Sequence, residues 1–181
     1  MTRAVQRRPL AGAGEEILAL LRADLPRNPA LSARLTLIIQ RAGQVLYRRS
    51  GPRAFVLRRV IQLADTVWTR GVIGAEIPTC VWIGPALRLP HAGRGIVMHP
   101  TVEVGRGVTL YHRVSLGVRD DRGGPRIGDD VEIGAGAAVL GPVVVADGCH
   151  VGANAVLVAD TEPGRSYGGI PARVLTPRTT R

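Results

Sequence analysis

Residues 127–157 read IGDDVEIGAGAAVLGPVVVADGCHVGANAVL. An aliphatic side chain returns at every sixth position, at Ile127, Ile133, Val139, Val145, Val151 and Leu157. Four places after each of the first five stands a second small or β-branched residue, namely Val131, Ala137, Val143, Cys149 and Ala155. Glycine often follows the aliphatic residue, as at Gly128, Gly134 and Gly152. This is an internal hexapeptide repeat.

The ladder continues upstream through Met98, Val104, Leu110 and Leu116, and before them Ile77, Ile83 and Leu89. Six residues cannot bury an apolar face alone. Each hexad supplies a short strand and a turn, three hexads make one coil of a triangular prism, and stacked coils pair their strands at roughly 4.8 Å. The expected fold is α+β: a parallel β-helix of about four coils over residues 76–162, preceded by a helical segment. Aromatics make up only 3% of the chain, which suits a narrow interior that admits small aliphatics. The period breaks twice, between Leu89 and Met98 and between Leu116 and Ile127. Loops that interrupt a regular solenoid are where function concentrates.

Residues 15–75 read as helices. One is expected from Glu15 to Leu25, ahead of Pro26 and Pro29, and a second from an N-cap at Ser32 to about Tyr47. After the Ser50-Gly51-Pro52 break, a third is expected from Arg53 to Trp68, with Val56, Val60, Leu63, Ala64 and Val67 packed on the domain. The run Leu35-Thr36-Leu37-Ile38-Ile39 leaves peripheral membrane contact open. Residues 1–14 carry Arg3, Arg7 and Arg8 without an apolar segment, so they read as a disordered lead-in and not as a secretory signal. Residues 163–181 read as a C-terminal extension. Cys80 and Cys149 form neither a disulfide framework nor a metal spacing, which points to free thiols in a reducing cytoplasm. The net charge of +10 comes from scattered arginines with few aromatics to stack on bases. Attraction of an anionic small molecule or a membrane surface is therefore expected before nucleic-acid binding.

Stacking the coils aligns Leu89, Leu110, Ile133 and Val151, so His91, His112, Ala135 and Ala153 should share one corner. The alanines would leave a groove for a thin chain such as pantetheine, with its thioester near His91. Gly117 is a further groove candidate, and Arg173 a candidate for cofactor phosphates. His99 and His150 read as surface residues, and Asp120 and Asp121 as solvated loop acids.

Residues 83–174 resemble the serine O-acetyltransferase branch of the hexapeptide-repeat acyltransferases. The likeness rests on Glu76-Ile77-Pro78, Ile83-Gly84-Pro85, Leu89-Pro90-His91, Val108-Thr109-Leu110-Tyr111, Val114-Ser115-Leu116-Gly117, Ile133-Gly134-Ala135-Gly136-Ala137 and the closing Gly169-Ile170-Pro171-Ala172-Arg173-Val174. It implies a left-handed β-helix, a homotrimer or dimer of trimers, and direct transfer from acetyl-CoA to a small hydroxyl acceptor, with no metal. It also implies that His91 is the general base and that Glu76 orients it. The chemistry is consistent: an alcohol needs a base to take its proton as it attacks a thioester, and a carboxylate on the far ring nitrogen fixes the tautomer.

Three departures bear on the acceptor. The Asp expected before the base is Pro90, the Arg-His expected before a loop proline is Gly123-Gly124, and the Gln expected after Tyr111 is His112. The last is similar to acetyltransferases of exopolysaccharide synthesis, so a sugar competes with L-serine as acceptor. Two other readings stay open: a carbonic-anhydrase-like metal site from His91, His99 and His112, and a non-catalytic β-helix scaffold.

Overall fold

The computed structural model describes residues 9–120 and 122–175. Residues 1–8 of the expected disordered lead-in, and Asp121, lie outside them. Three parallel sheets form the walls of a prism. The first wall stacks β1 (Trp82–Ile83), β3 (Glu103–Val104), β6 (Arg126–Ile127) and β9 (Val144–Val145). The second stacks β4 (Thr109–Leu110), β7 (Glu132–Ile133), β10 (His150–Val151) and β12 (Ser166–Gly169), and ends on β13 (Ala172–Val174), which turns back antiparallel to β12. The third stacks β2 (Val97–Met98), β5 (Ser115–Gly117), β8 (Ala138–Leu140) and β11 (Val156–Leu157). The β-helix is left-handed. Its strands continue past residue 162, because β12 pairs with β10 within the expected extension.

Register follows the hexads. Ile83, Val104, Ile127 and Val145 stack in one wall, and Leu110, Ile133, Val151 and Tyr167 in the next. Every ladder residue from Ile77 to Leu157 is 4% exposed or less. Burying each Val, Leu or Ile of such a ladder contributes about 1.5–3 kcal/mol. One corner turns through Ala92, Arg113, Gly136 and Asn154, all at φ between 57° and 71°. That left-handed conformation favours Gly and Asn, which fill two of the four places.

Three helices precede the prism: α1 (Ala13–Asp24), α2 (Leu31–Tyr47) and α3 (Pro52–Ala64). α1 begins two residues earlier than expected, and Arg49 ties down the segment before it by pairing with Glu16 and donating to the Pro9 carbonyl at 3.0 Å. The N-cap of α2 is Ala30, not Ser32, and no side chain caps it. α3 runs on as a π-helix over Asp65–Val72.

Two features differ from the expected packing. Val56, Val60, Leu63 and Val67 are 58–66% exposed, and the inward face of this helix carries Ala54, Asp65 and Thr69 instead. The apolar period is real, but it faces away from the prism. Conversely, polar residues of α1 and α2 are fully buried against the first coil. A first coil has no strand above it, so its backbone groups need other partners. Arg41 donates to the carbonyls of Ile83 (2.6 Å) and Gly84 (2.7 Å) and pairs with Asp24. Asp24 accepts the Leu87 N–H at 2.9 Å, Asn28 accepts the Leu89 N–H at 2.8 Å, and Gln44 donates to the Ile83 carbonyl at 3.1 Å. Four side chains thereby stand in for the missing strand. Among the described residues, no helix is long and apolar enough to cross a membrane.

Candidate active site

Leu89 anchors the site. Its side chain is buried and its N–H is held by Asn28, so the chain leaves the first coil at a fixed point. Pro90 begins a tight turn in which both His91 (φ 60°) and Ala92 (φ 61°) adopt the left-handed conformation. Neither is glycine, and strain of order 1–3 kcal/mol per such residue persists only where surrounding structure imposes it. The turn is closed by the Ala92 N–H donating to Leu89 O at 3.1 Å and the Arg94 N–H donating to His91 O at 3.2 Å. It leaves the His91 side chain exposed.

One coil below, Thr109 bridges to Arg88, and His112 lies beside His91. The two rings meet edge to face, with centroids 5.0 Å apart and planes at 89°. The Nδ1 of His112 is buried without a hydrogen-bond partner. Such an atom costs about 1–3 kcal/mol unless something satisfies it.

Below the histidines the corner opens into a groove of about 380 Å³, lined by His112, Arg113, Ala135, Gly136, Ala153 and Asn154. A second hollow of about 400 Å³ shares Ala135 and Ala153 and extends it over Gly134 and Gly152 towards Tyr167 and Leu175. The walls stay low because glycine is required there: a Cβ on Gly134 would come within 2.6 Å of the Ala153 nitrogen. The corner thus joins an imidazole pair at one end to an open, backbone-lined trough. His112 lines the head of that trough, and His91 lies against His112 beside it.

The structure brings together His91, His112, Ala135 and Ala153. Three other expected residues lie elsewhere. The Glu76 residue is exposed and makes no hydrogen bond to His91; its backbone instead joins the first coil, accepting from Met98 N at 2.9 Å. Gly117 closes β5 opposite Leu140 on the third wall, because a third of a coil separates it from the His112 corner. Arg173 lies on β13, exposed, with its guanidinium on the carbonyl of Ala172 at 3.2 Å, and does not line the groove.

His99 is apart from the other two histidines, its Nδ1 sharing a hydrogen bond with Thr101 Oγ1 at 2.8 Å. Among the described residues no group of three or more His, Cys, Asp or Glu side chains could hold a metal ion. Thr101 Oγ1 also accepts the Gly124 N–H at 2.7 Å, which ties the long loop to the prism. Asp120, in the same loop, pairs with Arg119 at 3.5 Å.

Sequence reasoning missed Arg113, Asn154, His150 and Leu175 as groove residues. The first two follow His112 and Ala153 directly, so the same register argument extended by one residue finds them. Leu175 reaches the groove only through the reversal into β13, which no repeat signals.

Comparison with known proteins agrees with this architecture. The family model for bacterial transferase hexapeptide (six repeats) matches residues 124–159. The serine acetyltransferase of Helicobacter pylori (strain J99) is 39% identical over 125 residues, which cover 67% of this chain and 70% of that protein. That of Mycobacterium tuberculosis is 40% identical over 120 residues, 65% of this chain and 52% of that protein, so the chain spans about half the length of this relative. The structure of soybean serine acetyltransferase superposes with a TM-score of 0.72 at 30% identity, covering 91% of this chain and 69% of that one. The same soybean enzyme is known in complex with serine. By repeat, corner and sequence, the chain belongs to the serine acetyltransferase family of hexapeptide-repeat transferases.

Proposed function

We propose that the chain is an acetyl-CoA-dependent O-acetyltransferase acting on a small hydroxyl acceptor, with L-serine first among acceptors. The single observation that carries this reading is the corner itself: His91 and His112, 5.0 Å apart, stand at the head of a trough floored by Ala135 and Ala153. The pantetheine arm lies along the trough. A nitrogen of His91 takes the acceptor's hydroxyl proton as its oxygen attacks the thioester carbonyl. The tetrahedral intermediate then expels the CoA thiolate, which takes the proton from the imidazolium. Transfer is direct in this reading: among the described residues no Ser or Cys lines the groove beside His112, and Ser166 lines only the further hollow. General-base assistance of this kind contributes about 10²–10⁴-fold. The same reading makes the assembly a homotrimer, with a neighbouring prism closing the open side of the groove.

A second acceptor class, a sugar hydroxyl, is favoured by one observation. Gly123 and Gly124 occupy the loop positions where the family resemblance places Arg-His, and the Gly124 backbone is held by Thr101. Neither glycine carries a side chain to hold an amino acid's charged groups, which leaves the adjacent Arg122 as the loop's partial replacement. The test measures CoA thiol release with L-serine and with a panel of sugars and nucleotide-sugars, for wild type and His91→Ala. Serine-dependent release lost in the variant supports the first acceptor. Release only with a sugar moves the acceptor to the second class. Absence of release with every acceptor overturns the transferase reading.

A further inference from the structure

The outward stripe of α3 and its π-helical continuation is an exposed apolar face outside the groove. Val56, Val60, Leu63 and Val67 recur at spacings of four, three and four, and all are more than half exposed, as is Phe55 beside them. From Val56 to Val67 the stripe rises through 11 steps of about 1.5 Å, or about 16 Å. Isolated exposed apolar residues need no explanation, but a continuous stripe marks a contact surface.

The charges around the stripe identify the contact. Residues 52–72 contain Arg53, Arg58, Arg59 and Arg70 and a single acid, Asp65. Asp65 is on the inward side, 8% exposed, and pairs with Arg70 at 3.3 Å. The exposed side therefore offers arginines and no carboxylate. Arg59 lies over the Phe55 ring at 5.1 Å, which keeps its charge beside the apolar strip. A second copy of this helix would bring arginine against arginine with no carboxylate of residues 52–72 between them. An apolar strip rimmed by cations suits an interfacial helix, with apolar side chains among acyl chains and guanidinium groups among anionic headgroups. On the adjacent helix, Leu31, Leu35 and Ile38 are also exposed, and Trp68 Nε1 donates to Thr36 Oγ1 at 3.1 Å, fixing the two helices side by side.

We propose that the α3 face docks the protein on an anionic lipid surface. The experiment sediments the full chain with phosphatidylcholine vesicles that do or do not contain phosphatidylserine, at low and high salt. Binding is expected only with phosphatidylserine and should weaken with salt. Arg53→Ser with Arg59→Ser should lower the partition coefficient about tenfold or more, since each basic residue near such a surface contributes roughly fivefold. Val60→Asp with Leu63→Asp should abolish binding while leaving thiol release from acetyl-CoA intact. The arginine pair lies on the surface, so it tests the idea even if the aspartate pair disturbs the helix. Equal binding to both vesicle types, no binding to either, or binding that both variants retain overturns the proposal. So does a fall in molecular mass in the aspartate variant, which would show that the stripe is buried between copies of the chain.

Discussion

The Arg41 guanidinium and the Asp24 carboxylate meet at 2.6 Å with neither side chain exposed, and between them they hold three backbone groups of the first coil. Breaking a buried pair by removing one partner costs about 3–5 kcal/mol. Arg41→Met is expected to lose that much in urea unfolding. The double variant Arg41→Met with Asp24→Leu should recover less than half of it, because the carbonyls of Ile83 and Gly84 stay unpaired. A double variant as stable as wild type would show that capping these carbonyls contributes nothing.

His91→Asn separates chemistry from strain. Asparagine accepts the left-handed backbone of this turn but is no base. The variant should melt within a degree or two of wild type, while kcat/KM falls about 10²–10⁴-fold. A loss under tenfold would remove His91 from the role of base.

His112 is expected to act on the reaction and not on the fold. His112→Phe keeps a ring against His91 and removes the buried, unpartnered Nδ1. Stability should hold or rise by about 1 kcal/mol. Turnover should fall at least about tenfold if His112 orients either His91 or the acceptor. Unchanged turnover would reduce His112 to packing.

Ala153→Leu places a branched side chain where the two hollows join. Because the substitution blocks the trough and not the histidines, KM for acetyl-CoA should rise about tenfold or more with kcat less affected. An unchanged KM would place the cofactor elsewhere.

The prism was legible residue by residue, since the period from Ile77 to Leu157 specifies both burial and the coil register. That register placed His91 over His112 and both over two alanines. Other features were hidden for identifiable reasons. Asp24, Arg41 and Gln44 look like solvated helix residues, and Asn28 like a solvated loop residue, until the open end of a solenoid is there to claim them. The stripe on α3 carries the period of a packed face, and periodicity alone does not say which side meets the protein. Glu76 sits at the expected spacing from His91, yet its position in the first coil gives it no hydrogen bond to that ring within the chain.

The reversal from β12 into β13 has a consequence for self-association. A pile of parallel strands has no built-in last member, and its bottom rung can template the same rung of another molecule. Here the second wall's final edge is occupied by a strand of opposite polarity from the same chain. An incoming hexad would have to pair antiparallel to β13, so the uniform parallel ladder that a regular end-to-end stack of copies needs is interrupted at this edge.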